Sequence, residues 1–189
     1  MEIERLAPDG PVVITPSIFK DERGHFFESF NEKEFKEKVA DVEFVQDNES
    51  LSVENVVRGL HFQKPPYAQA KLVRVINGAV IDVVVDIRKG SPTYGKYFHV
   101  YLSATNHRQF FVPRGFAHGF VSLKHDTIFQ YKCDNFYNKE SEGCILYNDP
   151  TIAIPWENWV HESQRIISDK DKKGVLFKNF NSPFLYESK

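Results

Sequence analysis

The sequence predicts an all-β fold of the sandwich or barrel type, on three observations. Short runs of β-branched and aromatic residues recur along the chain, each closed off by turn-forming residues. From residue 79 to 88 the chain alternates: Ile81, Val83, Val85 and Ile87 take one parity, Asp82, Val84, Asp86 and Arg88 the other, as in a strand with one apolar face. Only one segment before Pro150 has helical spacing.

In order, strands are expected at residues 12–14, 24–30, 43–45, 56–62, 70–76, 79–87, 97–102, 108–112, 119–123 and 127–133. The early helix starts at Asn31, a good N-cap, with Glu34 three residues on as in a capping box and Phe35 and Val39 on one face. Asn77-Gly78 joins two apolar runs and reads as a tight hairpin turn. Residues 90–96 imitate the start of a phosphate-binding loop. Tyr97 stands where Ser or Thr is required and an alternating strand follows instead of a helix, so the stretch reads as a hairpin loop. Trp156, Trp159, Ile166 and Ile167, followed by the charged residues 169–173, predict C-terminal helical turns packed on the barrel. No repeat or linker interrupts the pattern, so residues 1–189 read as a single domain.

Composition narrows the function. With 41% hydrophobic and 14% aromatic residues the chain can bury a sizeable core. Asp and Glu number 26 against 24 Lys and Arg, a net charge of -2, so no basic surplus drives binding to nucleic acid or anionic membranes. Cys133 and Cys144 form no CxxC pair and the start is not signal-like, so a cytoplasmic, reducing location is expected. Aliphatic runs such as Val83-Val84-Val85 fall far short of a membrane span. The sequon Asn48-Glu49-Ser50 carries no weight without a secretory start.

Seven histidines raise the question of a metal. Pro113-Arg114-Gly115-Phe116-Ala117-His118 has the Pro-x-Gly-x-x-His spacing of the second motif of metal-binding cupin barrels, but the first motif, His-x-His with a later Glu, is replaced by His61-Phe62-Gln63 and then residues 64–69 without Glu. Two ligands are missing, and a lone imidazole is a poor divalent site. The chain resembles a cupin that kept the barrel and lost the metal.

Residues 58–63 (Arg-Gly-Leu-His-Phe-Gln), Ala70-Lys71 and residues 81–95 closely resemble the dTDP-4-dehydrorhamnose 3,5-epimerase family. So do residues 19–28, Gln46-Asp47-Asn48, residues 113–120, Tyr131, Tyr137 and Ser168-Asp169-Lys170-Asp171, in the same order along the chain. The resemblance implies a cupin-like jelly-roll β-barrel with short peripheral helices. It also implies a homodimer that exchanges N-terminal strands, no cofactor and no metal, and a dTDP-4-keto-6-deoxy sugar as substrate, inverted at carbons 3 and 5.

The residue types suit that reaction. A ketone at carbon 4 acidifies both neighbouring hydrogens, so the enzyme needs a base on one face, an acid on the other and a group that stabilises the enolate. The resemblance makes His61 the base, oriented by Asp171, and Tyr131 the acid. Spacing alone would read Tyr131 as a core tyrosine sharing parity with Phe129 and Cys133. Lys71 shares parity with Val73 and Val75, where a lysine is hard to explain structurally. By resemblance it stabilises the enolate, with His118 as second contributor or substrate contact. Arg23 and Arg58, each on its own more often a surface arginine, match diphosphate-binding positions. Phe19, Glu28, Gln46, Asn48, Glu142 and Lys170 match further nucleotide and sugar contacts, and Tyr137 matches an aromatic near the substrate. The strand exchange would put Phe19, Arg23 and Glu28 in the partner's site. Regular alternation would split Arg58 and His61 between faces, so an irregularity is expected at Gly59, where a bulge costs little. Rival readings are an epimerase acting at one carbon, a sugar-binding cupin without catalysis and a metal-dependent cupin oxygenase.

Overall fold

In the computed structural model, which describes residues 1–187, the chain runs through β1 (Glu2–Arg5), β2 (Val12–Thr15), β3 (Phe19–Asp21), β4 (Gly24–Phe26), helix α1 (Glu32–Lys38), β5 (Gln46–Ser52), β6 (Val56–Gln63), β7 (Lys71–Asn77) and β8 (Ala79–Asp86). It continues as β9 (Arg88–Lys89), β10 (Tyr97–Ser103), β11 (Gln109–Val112), β12 (Phe116–Ser122), β13 (Thr127–Cys133), β14 (Glu142–Cys144), β15 (Ile166–Ile167) and β16 (Phe184–Leu185). One large sheet has the order β1-β2-β11-β7-β13-β5, the other β10-β8-β12-β6-β14 with β15 parallel beside β6. No helix among the described residues is long and apolar enough to cross a membrane.

The two sheets face each other over Val73, Val75, Val84, Phe110, Phe120 and Phe129. Each outer face is also covered. Phe35 and Val39 of the α1 region pack on Val12, Ile14, Leu72 and Phe111 of the first sheet. On the second sheet, Tyr147, Ile152, Ile154 and Trp156 pack against Val57, Ile81, Val83 and Val85. The expected C-terminal helical turns are short 3-10 turns at Trp156–Asn158, Glu162–Gln164, Asp171–Lys173 and Phe177–Asn179, although Ile166 and Ile167 form a strand between two of them. Asn31 caps α1 by accepting the Glu34 N–H at 3.1 Å, but the Glu34 carboxylate turns to Lys38 at 3.3 Å, so only half of the capping box is made.

Several expectations are corrected. β8 is buried along its whole length. Its apolar parity packs under the C-terminal segment, while Asp82 and Asp86 belong to the other parity, also buried. Asn77-Gly78 is not a hairpin turn: β7 pairs with β11 and β13, β8 with β10 and β12, so the turn carries the chain from one sheet to the other. Gly78 has φ +83°, and a Cβ there would strike Thr127; turn chemistry marks the reversal but not the sheet that receives it. The expected strand 24–30 ends at Phe26, and residues 43–45 are not a strand; β5 follows them. At the edge of its sheet β5 buries little of its length, so it lacks the apolar run by which the others are legible.

Residues 90–96 form the expected loop, and a buried charge holds it. The Asp86 carboxylate pairs with Arg88 at 2.7 Å and accepts the Ser91 and Thr93 hydroxyls at 2.6 and 2.7 Å. Burial pushes the Asp86 pKa up, but these bonds outweigh it and hold the group below its usual value.

The irregularity at Gly59 is present. His118 pairs with His61 and Phe120 with Arg58, so two steps on β12 span three on β6. Gly59 has φ +121°, and a Cβ there would lie 2.6 Å from Gly119 Cα and 2.8 Å from the His118 carbonyl oxygen. Gly59→Ala is therefore expected to destabilise the fold by about 2–3 kcal/mol, a fall in Tm of roughly 5–10 °C in a thermal melt, and to cut turnover as Arg58 and His61 lose their relative placement.

Candidate active site

The edge of β6 is shared by two short strands: β15 pairs with Val56 and Val57, β14 with His61, Phe62 and Gln63. In the gap between them the Gly59 N–H donates to Asp171 Oδ2 at 3.2 Å. Asp171 Oδ1 meets His61 Nε2 at 2.7 Å, and the Asp171 N–H is anchored on Ser168 Oγ at 3.1 Å. Burial pushes the Asp171 carboxyl up, but the hydrogen bond and charge of His61 and the Gly59 amide outweigh it, holding the group below its usual value and ionised at neutral pH. With Nε2 engaged, Nδ1 is the His61 nitrogen left to exchange a proton.

His61 lines a cavity of about 330 Å³ together with Lys71, Tyr131, Gln63, Gln69 and Glu142. The Lys71 Nζ lies 5.5 Å from the centre of the Tyr131 ring. Burial lowers the Lys71 pKa, opposed by Cys133, Asp82 and Glu142. Burial also raises the Tyr131 phenol, with Cys133 adding and Arg58 opposing, so it keeps its proton at neutral pH. A larger hollow of about 1080 Å³ opens beside Arg5, Val42, Arg114 and Tyr186, but no histidine lines it.

Most of the sequence-derived residues converge here. Gln46, Asn48, Tyr137, Glu142 and Lys170 line the same cavity. Lys170 bonds Glu142 at 2.7 Å, an ion pair that raises its pKa. Gln46 accepts the Tyr137 N–H at 3.1 Å and donates to Asn48 at 3.0 Å. Arg58, near enough to Tyr131 to act on its charge, bonds Ser52 Oγ at 3.2 Å. Phe19, Arg23 and Glu28 are not brought to this cavity. Phe19 is two-thirds exposed on the β3–β4 hairpin, Arg23 pairs with Asp21, and Glu28 accepts from Asn31.

His118 is buried beneath the site, its Nε2 2.9 Å from both Asp82 oxygens. Asp82 is fully buried, and burial raises its pKa against the pull of His118 and Lys71. The sequence reading missed it, although an aspartate within a buried apolar strand is itself a signal. The cupin metal pattern is not met. Gln63 donates to the carbonyls of Tyr67 at 2.7 Å and Phe136 at 3.1 Å and accepts the Asn138 N–H at 2.7 Å, so its amide holds the loop that carries Tyr137. His118 is committed to Asp82.

An oriented histidine, a protonated phenol and a partly desolvated lysine around one hollow of a cupin-type barrel have the chemistry to move protons on and off carbon next to a carbonyl. The comparisons sharpen this. Residues 5–179 match the dTDP-4-dehydrorhamnose 3,5-epimerase family. The dTDP-4-dehydrorhamnose 3,5-epimerase of Shigella flexneri is 52% identical over 167 residues, covering 88% of this chain and 90% of the relative. Among solved structures, the dTDP-4-dehydrorhamnose 3,5-epimerase of Elizabethkingia anophelis NUHP1 superposes with a TM-score of 0.90 at 48% identity, covering 96% of this chain and 99% of the other. The dTDP-6-deoxy-D-glucose-3,5-epimerase of Legionella pneumophila Philadelphia 1, solved in complex with dTDP-4-keto-L-rhamnose, has a TM-score of 0.91 at 43% identity over 98% of each chain. The chain belongs to the dTDP-4-dehydrorhamnose 3,5-epimerase family and is a carbohydrate epimerase.

Asp82 is bonded to His118 beneath the cavity without lining it, and its charge and that of Lys71 act on each other. Asp82→Asn preserves shape and removes that charge. Turnover is expected to fall by at least about tenfold, ~1.4 kcal/mol in barrier, with dTDP affinity unchanged by calorimetry.

Proposed function

We propose that this chain inverts carbons 3 and 5 of dTDP-4-dehydro-6-deoxy-D-glucose to give dTDP-4-dehydro-L-rhamnose, at the cavity shared by His61, Lys71 and Tyr131. The supporting observation is the His61–Asp171 contact in the same hollow as a phenol that burial keeps protonated. His61 Nδ1 takes the proton from the carbon beside the ketone, and the C–H electron pair moves into the enolate. Asp171 stabilises the imidazolium through Nε2. Lys71 donates to the enolate oxygen; an ammonium whose pKa burial lowers gives its hydrogen bond more readily to a developing oxyanion. Tyr131 then protonates the carbon from the opposite face. The imidazolium loses its proton to solvent, the phenolate regains one, and the cycle repeats at the second carbon. Arg58 and Lys170 supply positive charge toward the diphosphate.

The reading extends to a homodimer. The β3–β4 hairpin is exposed along both strands, with Phe19 and Phe26 at 66% and 70% exposure. Such an arm, with Arg23 near its tip and Glu28 just beyond its base, is suited to enter a second copy's cavity, where a guanidinium fits phosphate oxygens.

In deuterated water His61→Ala is expected to abolish exchange at both carbons while dTDP binding persists. Tyr131→Phe should still exchange, because His61 forms the enolate, but return the label mainly in substrate of unchanged configuration. Followed by NMR at carbons 3 and 5 separately, wild-type inversion in Tyr131→Phe removes the phenol from the mechanism, and inversion at one carbon in the wild type reduces the activity to a single epimerisation.

For the dimer, co-refolding an Arg23→Ala chain with a His61→Ala chain should restore up to roughly a quarter of wild-type activity by statistical pairing across an isologous interface. Verified mixed dimers that stay inactive would show that Arg23 serves no neighbouring site.

A further inference from the structure

Cys144 stands directly opposite His61 in the ladder between β14 and β6. The neighbouring pair, Leu60 and Ile145, exchanges both N–H···O bonds at 3.1 and 2.9 Å. His61 and Cys144 are therefore the non-hydrogen-bonded pair, in which cross-strand side chains come closest. Asp171 reaches the same spot from its 3-10 turn, and one ligand atom from each of His61, Cys144 and Asp171 lies within 4.8 Å of the others. The epimerisation gives Cys144 no task. Its thiol makes only a 3.5 Å contact to the Ile145 carbonyl.

We infer that His61, Cys144 and Asp171 form a three-ligand site for Zn²⁺, or a similar borderline-soft divalent cation, whose occupancy switches the epimerase off. Tetrahedral zinc with bonds of roughly 2.0–2.3 Å to nitrogen, oxygen and sulfur sets its ligand atoms about 3.3–3.6 Å apart. The three atoms lie within 4.8 Å of one another. The His61–Asp171 contact of 2.7 Å must widen as the cation replaces the proton between them, and the thiol sulfur must close in. The thiol proton goes to solvent, while the proton displaced from Nε2 is matched by one taken up at Nδ1, so the imidazole stays neutral and no oxidation state changes. Three protein ligands leave a fourth position for water, as in open zinc sites. Mg²⁺ and Ca²⁺, which prefer larger all-oxygen shells, do not suit this donor set.

Inhibition follows from the tautomer, and it rests on the reading of His61 as the base. A neutral imidazole that gives the Nε2 lone pair to a metal carries its proton on Nδ1, so it has no lone pair left to accept one from carbon. This site differs from the metal pattern of other cupins. His118 and Gln63 are committed elsewhere, and the thiolate comes from β14.

Co²⁺ is the probe for occupancy. The wild-type protein should show intense visible bands of tetrahedral cobalt and a near-ultraviolet thiolate-to-cobalt charge-transfer band, and Cys144→Ser should lose the latter. Zn²⁺ should suppress wild-type turnover reversibly, with recovery on chelation, while an excess of Mg²⁺ leaves it unchanged. Cys144→Ser should keep its basal turnover and need at least ~10-fold more Zn²⁺ for half-inhibition. Absence of a sulfur band at saturating Co²⁺, or equal zinc sensitivity in Cys144→Ser, overturns the proposal. The cobalt spectrum reads the site itself and turnover of His61→Ala reads the base, so the two readings fail separately.

Discussion

A single buried carboxylate holds the site together. Asp171 takes with one oxygen the N–H that the Gly59 bulge leaves outside the ladder, and with the other the Nε2 of His61. Each partner would be costly without it: a buried amide lacking an acceptor, and an imidazole free to rotate and change tautomer. The carboxylate itself could not stay ionised when buried without those same donors. The bulge, the C-terminal turn and His61 are thus satisfied by one another, across 110 residues of sequence.

The polar side chains beneath and around the cavity follow the same logic. Asp82 and Asp86 both lie on β8, which is buried on both faces, and each has a cationic or protonatable partner: His118 for Asp82, Arg88 for Asp86. No buried side-chain polar atom among the described residues lacks a hydrogen-bond partner. The two aspartates nevertheless do different work. Asp86, with Arg88, Ser91 and Thr93, closes a loop outside the His61 cavity, whereas Asp82 is bonded to His118 beneath it. Satisfaction of buried charge is a condition of folding.

Gln63 has a structural task in this barrel. It occupies a position where metal cupins place a ligand. Its amide is spent on three backbone groups of the loops around Tyr67 and residues 136–138, and the residue so placed, Tyr137, lines the cavity. Gln63 thus braces one wall of the cavity.

The sequence by itself determined the all-β architecture, the strands with apolar runs and the helix start at Asn31, while the family and eight of the residues that line the cavity were legible only through the resemblance of motifs spread in order along the chain. The architecture, strands and helix start rest on local alternation, capping and side-chain chemistry, which one chain segment carries within itself. Tertiary structure alone decided the rest. It turned Asn77-Gly78 from a hairpin into a passage between sheets, because turn chemistry does not say which edge receives the next strand. It made an edge strand of β5, whose polar alternation resembles a loop until β13 pairs with it. It buried Asp82 against His118 and set Cys144 against His61, pairings that come from strand register between distant segments. Register depends on how the two sheets close over a shared core, and no local window of sequence contains that information.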